Sequence, residues 1–292
     1  FKVETDISIG KDISLAQLKK DYDAVYVSIG AHTDKKLGIP GEDAEGVISA
    51  VEMLRNIGDD RYPDFSGLEV VVVGGGNVAM DVARSAVRLG AKTVKVAYRR
   101  RKVDMTALPE EVEGAIADGC DIVELHSPKD SQSPEIEVKA DLVLVAIGQG
   151  IDFRKFEEYQ GVAIESGRIN ALDTSALKNA EGIFAGGDCV TGPATVIRAI
   201  AAGKTAAANI DEYLGFFHEI ESDITLPPVR FDDNAPTGRV NMKERPAQER
   251  VCDFKLMEYG MTDEEACQES GRCLHCDHFG YGIFKGGRES KW

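Results

Sequence analysis

The sequence predicts an α/β fold, and three observations lead to that prediction. The stretch Val70–Arg100 has four valines, a glycine triplet, an alanine-rich amphipathic segment and a second apolar run, which together predict strand, turn, helix and strand. Two other apolar runs end in the similar triplets Ser28–Gly30 and Ala146–Gly148. A long alanine-rich segment, Thr195–Leu214, has the spacing of a helix. Alternating strands and helices are typical of parallel sheets.

The remaining elements follow from apolar spacing and from the placement of glycine and proline. Helices are predicted at Ala50–Ile57, after a loop rich in proline and glycine, and between Pro109 and Gly119. Strands are predicted at Asp21–Gly30, Cys120–Leu125 and within Glu135–Gly148, and a short strand precedes the Gly-Gly-Asp turn at residues 186–188.

The glycine triplet carries the first indication of function. Gly74, Gly75 and Gly76 have the G-x-G-x-x-A spacing, in which the first glycine permits a tight turn and Gly76 lets the backbone approach a pyrophosphate. The N–H groups of the following helical turn, around Asn77 and Val78, would then face the phosphates. Because the triplet lies between a predicted strand and a predicted helix, we interpret it as a dinucleotide-binding turn. The alternative is a purely structural turn.

The end of the second strand indicates which dinucleotide is bound. Sites for NAD usually place an acidic residue there, whereas sites for NADP place arginine near the 2′-phosphate. This sequence has Arg99 and Arg100 after Tyr98, followed by Arg101, and no acidic residue. The planar guanidinium matches phosphate oxygens in a bidentate manner. The pattern therefore favours NADP, and the alternative is a solvated basic loop.

Composition limits the classes of partner. The 292 residues predict two or more domains, and a hydrophobic content of 43% is enough for substantial cores. The net charge of −16 disfavours nucleic acids and anionic membranes as partners.

No apolar run approaches the roughly 18 residues of a membrane span, and no signal peptide is visible, so we expect a cytoplasmic protein. Because the sequence opens without Met, we also expect its N terminus to be truncated.

Several motifs together carry a family resemblance over about residues 1 to 215. They are VYVSIGA, LGIPGED, GGGNVAMDVARSAVRLGA, YRR, MTALPEE, VLVAIGQ and GIFAGGDCVTGPATVIRAIAAGKTAA. In this order they resemble the glutamate synthase small-subunit family of FAD and NADP oxidoreductases. That family includes flavoprotein subunits of electron-bifurcating transhydrogenases.

The resemblance implies two Rossmann-like dinucleotide-binding domains, one inserted in the other. The NAD(P)-binding domain would span residues 49–176, the FAD-binding domain residues 1–48 and 177–220, and a C-terminal extension residues 221–292. The family carries its own glycine fingerprint for FAD before the first of these segments. The FAD domain is therefore expected to be incomplete at its N terminus, and this chain alone is expected to bind FAD poorly.

The resemblance also assigns cofactor-binding residues outside the glycine triplet. They are Gly30, Ala31, Gly148, Gly187, Asp188, Thr195 and Val196. Asp188 would bind the ribityl or pyrophosphate part of FAD, and helix capping is the alternative role for it. Thr195 and Val196 would lie beneath the flavin pyrimidine edge, where a helix N terminus stabilises the negative charge of reduced flavin.

Four of the six cysteines lie within 25 positions near the C terminus, at Cys252, Cys267, Cys273 and Cys276. A C-x-x-C pair with two further thiols could ligate a [4Fe–4S] cluster or zinc, and the same segment resembles the cluster-bearing segments of the family. The spacing is not a strict ferredoxin pattern, so unligated thiols are the alternative. The other two cysteines are isolated and are predicted to be small core residues.

The sequence therefore predicts an NAD(P)H-dependent flavin oxidoreductase. Hydride would pass between NADP(H) and FAD, and electrons would pass to iron–sulfur clusters or to a partner subunit that carries them. We assign no catalytic acid or base, because hydride transfer depends on orientation and on the cofactors themselves. The alternatives are a stand-alone flavin reductase and a non-catalytic NADP-binding or scaffold subunit.

Overall fold

A computed structural model of the chain describes residues 2–128, 136–153, 161–218 and 237–272. The chain forms two compact units, Phe1–Phe217 and His218–Trp292. The first unit contains both extended sheets and most of the helices. In the described residues of the second unit, 237–272, two helices are joined by loops.

The helices and strands alternate along the first unit. In the part of the chain that the structure describes, the helices are α1 (Leu15–Asp21), α2 (Ala50–Gly58), α3 (Asn77–Arg88), α4 (Pro109–Ala117), α5 (Asp188–Thr191), α6 (Val196–Tyr213), α7 (Ala247–Arg250) and α8 (Asp263–Gly271). The strands are β1 (Val25–Val27), β2 (Thr33–Asp34), β3 (Val47–Ser49), β4 (Glu69–Val73), β5 (Thr93–Tyr98), β6 (Asp121–Glu124), β7 (Leu142–Val145), β8 (Gln149–Gly150), β9 (Ile164–Glu165), β10 (Arg168–Ile169), β11 (Ala176–Leu177) and β12 (Ala180–Ala185).

The larger sheet has five parallel strands in the order β3-β7-β4-β5-β6. Following the chain from β4, the next two strands are added on one side, and β7 then returns to the other side of β4. The strand order therefore reverses between β4 and β7. In open parallel sheets, ligands bind in the crevice at the carboxyl ends of the strands where this reversal occurs.

The smaller sheet has the order β1-β12-β11. Strands β1 and β12 are parallel, with Val27 opposite Ala185, although more than 150 residues separate them in the sequence. The whole five-stranded sheet lies between them in the chain. The predicted α/β fold with one dinucleotide-binding unit inserted in another is confirmed in this topology. The predicted boundaries at residues 48/49 and 176/177 remain predictions.

Two short strands connect the two sheets. Strand β2 follows β1, β8 follows β7, and they pair with each other in antiparallel orientation, with Thr33 opposite Gly150 and Asp34 opposite Gln149. The Lys35 N–H continues this ladder by donating to the Gly148 carbonyl at 3.1 Å. The chain thus passes from one sheet to the other, and back, along a single hydrogen-bonded ribbon.

The core of the larger sheet contains one buried charged network. Helices α2, α3 and α4 pack on the sheet through Met53, Met80 and Val112. Between α3 and α4, the Arg84 guanidinium donates from Nε to Asp118 at 2.8 Å and from an Nη atom to Glu111 at 2.8 Å. Arg84 and Asp118 are almost completely buried. An Nη atom of Arg88 lies 3.5 Å from the same Asp118 carboxylate, so two arginines stabilise this buried charge.

The structure differs from three of the predicted elements. Strand β3 lies partly in a segment predicted as loop, because an edge strand of three residues gives little periodicity. The strand predicted from Asp21 is confined to Val25–Val27, because Ser14 caps α1 and that helix extends to Asp21. In the described part of Glu135–Gly148, only Leu142–Val145 is a strand. The predicted strand, turn, helix and strand at residues 70–100 and the helices at residues 50 and 109 are confirmed.

The second unit is held together by side chains that bond to nearby backbone and by ion pairs. The Arg245 guanidinium binds the Asp253 carboxylate in a bidentate manner, at 2.7 and 3.0 Å. This hydrogen bonding lowers the pKa of Asp253 to about 2. At the start of α8, Thr262 and Glu265 form a reciprocal capping box. Such local contacts suit a segment with few buried apolar residues.

We predict that Asp118→Asn lowers the free energy of unfolding by about 3 kcal/mol, because it leaves the buried guanidinium of Arg84 without its main counter-charge. Denaturant unfolding monitored by circular dichroism measures this change. The matched control is Asp59→Asn, which removes the exposed partner of Arg61 and should change stability by less than about 1 kcal/mol. Equal effects of the two substitutions would contradict the assignment.

Candidate functional site

The glycine turn begins where β4 ends, against the backbone of β7. Gly74 has φ = +149°, and its N–H donates to the Ala97 carbonyl at 3.1 Å. A β-carbon at this position would lie 2.3 Å from the carbonyl oxygen of Ala146. No side chain can be accommodated at that distance from a backbone atom. Gly74 therefore allows the turn to lie directly on the neighbouring strand.

Gly75 is fixed by the segment between β5 and α4. A β-carbon at Gly75 would lie 2.4 Å from the ring of Tyr98. The carbonyl of Gly75 accepts hydrogen bonds from the N–H groups of Thr106 at 3.0 Å and Ala107 at 3.1 Å. The Tyr98 hydroxyl in turn donates to the Asp104 carbonyl at 2.8 Å. The middle of the turn is thus bound from one side and cannot rotate freely.

Gly76 is the N-cap of α3 and makes no side-chain cap. Its carbonyl accepts hydrogen bonds from the N–H groups of Ala79 and Met80. The N–H groups of Asn77 and Val78 lie in the first helical turn and therefore have no acceptor within the helix. A β-carbon at Gly76 would approach only the Thr106 hydroxyl, at 3.5 Å. The residues present therefore fit a pyrophosphate, because the open side of the turn offers backbone donors at a helix N terminus.

The arginines after β5 differ in what they bind. Arg101 is bound to the Asp104 carboxylate by two hydrogen bonds, at 3.0 and 3.1 Å, which raise the pKa of Arg101 and lower that of Asp104. Arg99 and Arg100 are exposed, and their side chains form no hydrogen bond or ion pair within the described part of the chain. Two of the three guanidinium groups are thus available to an anionic ligand.

Gly148 lies at the same edge of the sheet as the glycine turn. It follows β7 with φ = +124°, and a β-carbon there would contact the Lys35 side chain at 3.5 Å. Its neighbour Ala146 contacts Gly74, as described above. The structure therefore brings Gly148 and the glycine turn to the two sides of the crevice where the strand order reverses, with Arg99 and Arg100 at the end of the adjacent strand.

The remaining predicted residues lie at the corresponding edge of the smaller sheet. Gly30 and Gly187 follow the parallel strands β1 and β12, with φ of +66° and +77°. A β-carbon at either glycine would meet no other atom within 4 Å, so both backbones are open to a ligand. Ala31, beside Gly30, is buried.

Asp188 and the start of α6 complete this edge. Asp188 begins the short helix α5, and its Oδ1 accepts from the Ala194 N–H at 3.2 Å. Thr195 is the N-cap of α6 and forms no side-chain cap. The side chain of Val196 is 76% exposed. Asp188 thus positions the loop that leads to α6 through a backbone contact that the sequence did not indicate.

The predicted metal ligands are described only in part. Cys252 and Cys267 are exposed residues of the second unit, and Cys273 and Cys276 lie outside the described residues. Within residues 2–128, 136–153, 161–218 and 237–272, no group of three His, Cys, Asp or Glu residues could hold a metal ion. The four-cysteine site remains a prediction.

The two isolated cysteines are confirmed as core residues. Cys120 and Cys189 are buried, and burial raises the pKa of Cys120 to about 12 and also raises that of Cys189. The Cys189 thiol donates to the Gly186 carbonyl at 3.2 Å. Neither thiol has the depressed pKa of a reactive cysteine.

Sequence analysis missed a cleft beside the ribbon that connects the sheets. It has a volume of about 530 Å³ and is lined by residues of β2, β3 and α2. Within it, the Ser49 hydroxyl donates to the Asp34 carboxylate, and burial raises the pKa of Asp34. The LGIPGED motif precedes β3, but its spacing alone gives no indication of this contact.

Comparison with known proteins establishes the family. Residues 4–203 match the family described as pyridine nucleotide-disulphide oxidoreductase, which is more than half of the chain. The chain belongs to this family. The predicted identification as an oxidoreductase of the pyridine nucleotide-dependent flavoprotein type is therefore confirmed at the level of the family.

Three relatives support the predicted branch of the family. The chain is 34% identical to the NADP(+)-dependent formate dehydrogenase subunit beta of Moorella thermoacetica, covering 99% of this chain and 47% of the relative. It is 32% identical to the NADPH-Fe(3+) oxidoreductase subunit beta of Geobacter sulfurreducens, covering 93% and 51%. It is 33% identical to the Escherichia coli glutamate synthase [NADPH] small chain, covering 73% and 55%. The chain thus spans about half the length of these relatives.

A solved structure confirms the fold. Mycobacterium tuberculosis FprA in complex with NADPH matches with a TM-score of 0.53 and 20% sequence identity, covering 72% of this chain and 68% of FprA. At this identity the match concerns the fold alone. It agrees with the two dinucleotide-binding units predicted from the sequence.

Among the described helices, none is both long enough and apolar enough to cross a lipid bilayer.

We predict that Gly74→Ala lowers the free energy of unfolding by at least about 2 kcal/mol and weakens dinucleotide binding, because the new β-carbon must displace the backbone of β7. Thermal denaturation and titration with NADP⁺ measure the two effects. The control is Gly58→Ala at the end of α2, where a β-carbon meets no atom within 4 Å. A Gly74→Ala protein as stable as the control would contradict the close approach.

Proposed function

We propose that this chain is the NADP(H)- and FAD-binding part of an electron-transfer oxidoreductase. It exchanges hydride between NADP(H) and FAD, and its electrons pass to iron–sulfur clusters in the same protein or in a partner subunit. The observation that carries the proposal is the crevice at the strand reversal. There, a glycine turn with open backbone donors lies one strand away from Arg99 and Arg100.

The choice of NADP over NAD rests on the charge at the end of β5. The two available guanidinium groups suit a 2′-phosphate, and in residues 99–101 no acidic side chain is present to accept a ribose hydroxyl. Asp104, the nearest acid along the chain, is occupied by Arg101. The three relatives are consistent with this choice, because their names specify NADP(+) or NADPH.

The residues of the chain orient the reactants. The N–H groups at the start of α3 would hold the pyrophosphate, Arg99 and Arg100 would hold the 2′-phosphate, and Gly148 would line the other side of the crevice. Bound FAD supplies the hydride acceptor at its N5 atom. Gly30 and Gly187 permit its close approach to the smaller sheet, and the α6 N terminus at Thr195 stabilises negative charge at the flavin. No acid or base is required of the protein.

The redox partner is proposed from the relatives and the cysteines. Two relatives are named as beta subunits and one as a small chain, which favours a role within a larger assembly. Cys252, Cys267, Cys273 and Cys276 are the proposed ligands of a cluster, iron–sulfur ahead of zinc. Two other functions stay open: a stand-alone flavin reductase, which needs neither cluster nor partner, and an NADP-binding scaffold without flavin.

We predict that Arg99→Glu combined with Arg100→Ala lowers the affinity for NADPH at least 100-fold and the affinity for NADH less than threefold. The two substitutions remove contacts to the 2′-phosphate, and each charge-assisted hydrogen bond contributes about 1.5–3 kcal/mol. Fluorescence titration with both nucleotides measures the two affinities.

The matched control is Arg101→Ala, which removes a neighbouring charge that Asp104 already binds. It should change the affinity for NADPH less than fivefold. Equal losses of NADPH and NADH in the double variant would exclude these arginines from 2′-phosphate recognition.

Spectroscopy and metal analysis of the full-length protein test the electron route. After anaerobic purification, we expect flavin absorption bands that bleach on addition of NADPH, together with iron and acid-labile sulfide. Flavin without iron would favour the stand-alone reductase. Absence of both flavin and iron would favour the nucleotide-binding scaffold and would overturn the proposed function.

A further inference from the structure

The glycine turn is bound on one side by three consecutive residues, Thr106–Leu108, which we call the bracket. The N–H groups of Thr106 and Ala107 both donate to the Gly75 carbonyl, at 3.0 and 3.1 Å. The Leu108 N–H donates to Oδ1 of Asn77 at 2.9 Å. All three successive backbone donors of the bracket are therefore directed at the turn.

The bracket determines which way the turn presents its own donors. In a trans peptide, the carbonyl of one residue and the N–H of the next point in opposite directions. Because the Gly75 carbonyl is held by the bracket, the Gly76 N–H must point away from it, toward the open crevice. The bond from Leu108 to the Asn77 side chain ties the first residue of α3 to the bracket, and so limits the orientations open to the N–H groups of the first helical turn.

The side chain of Asn77 has a different role from the backbone around it. Its oxygen accepts from the Leu108 N–H, while its backbone N–H lies in the first turn of α3. An alanine here would keep the backbone donor and the helix and would remove one of the three bracket bonds, leaving the two that go to the Gly75 carbonyl. The helix would still begin at the same residue, since its cap is Gly76.

We infer that Asn77 is a positioning residue for the pyrophosphate of the dinucleotide: its side chain binds Leu108 to orient the backbone donors of the turn, and it is not itself a phosphate ligand. This inference rests on the proposed function, because it assumes that the turn binds a pyrophosphate. It keeps the prediction that the N–H groups around Asn77 and Val78 face the phosphates, and it adds a separate role for the Asn77 side chain.

Leu108 offers a way to break the same bond from its other end. Its backbone has φ = −61° and ψ = 139°, which is the conformation of proline. Leu108→Pro removes the N–H that binds Asn77 and leaves the Leu108 carbonyl, which caps α4 by accepting from Glu111 and Val112. The side chain is 56% exposed, so its loss has little effect on the core. Leu108→Ala is the matched control, since it removes the same side chain and keeps the N–H.

Two probes separate the parts of the dinucleotide. ADP-ribose contains the pyrophosphate but no 2′-phosphate, and 2′-AMP contains the 2′-phosphate but no pyrophosphate. Isothermal titration of the full-length protein measures both affinities for the wild type, Asn77→Ala, Leu108→Pro and the double variant. A further control is Asn56→Ala on α2, which makes the same substitution away from the turn.

We expect Asn77→Ala and Leu108→Pro each to weaken ADP-ribose about five- to tenfold, which corresponds to the loss of one neutral hydrogen bond. The double variant should be little weaker than either single variant, because both remove the same bond. Binding of 2′-AMP should change less than twofold, and Leu108→Ala and Asn56→Ala should bind both probes as the wild type does.

Other outcomes would overturn the inference in distinguishable ways. Loss of ADP-ribose binding in Asn77→Ala but not in Leu108→Pro would make the Asn77 side chain a direct ligand. Equal loss of both probes would indicate general destabilisation. If the wild type binds NADP⁺ and every variant binds ADP-ribose as tightly as the wild type does, the inference about Asn77 is wrong and the proposed function stands. If the wild type binds neither NADP⁺ nor ADP-ribose, both the inference and the proposed function are wrong.

Discussion

The structure depends on the contact between Gly74 and the backbone of β7. The absence of a side chain at Gly74 lets the carbonyl of Ala146 lie where a β-carbon would otherwise be. This contact lets the chain turn sharply out of β4 and into α3 while β7 stays hydrogen-bonded beside β4. The crevice at the strand reversal, the orientation of α3 and the approach of Gly148 all follow from it. A dinucleotide site at this position is thus a consequence of backbone packing more than of side-chain chemistry.

Around that contact, the chain assigns separate tasks to adjacent residues of similar type. Of three successive arginines, one is bound to Asp104 and stabilises the loop, and two face solvent and are available to phosphate. Of three successive glycines, the first accommodates a strand, the second accommodates Tyr98, and the third opens toward the crevice. The buried ion pair of Arg84 and Asp118 holds α3 against the C-terminal end of α4.

The glycine turn and the elements on each side of it were predictable from the sequence, for identifiable reasons. Local interactions in the chain leave recognisable patterns, here the valine run, the glycine spacing and the pair of arginines. These patterns therefore predict the turn and the elements on each side of it. The association of the β1 and β12 segments was predicted only through the family resemblance, because it joins residues distant in sequence. The bracket at Thr106–Leu108 and the bond between Ser49 and Asp34 also join residues distant in sequence, and no motif indicated them. Backbone donors leave no residue-type signature, which is why the role of Leu108 could not be predicted. The ligand role of the C-terminal cysteines remains a prediction from their spacing and from the family resemblance.

The ribbon of β2 and β8 has a mechanical consequence for the first unit. Both backbone passages between the two sheets run through this one pair of antiparallel strands, and hydrogen bonds join them to each other. The two sheets therefore cannot separate by independent movement of two linkers. Any reorientation of one sheet against the other must bend or twist a single two-stranded element, which limits the motion to few degrees of freedom. The two proposed cofactor sites, one at the edge of each sheet, therefore move relative to each other only as this ribbon bends or twists.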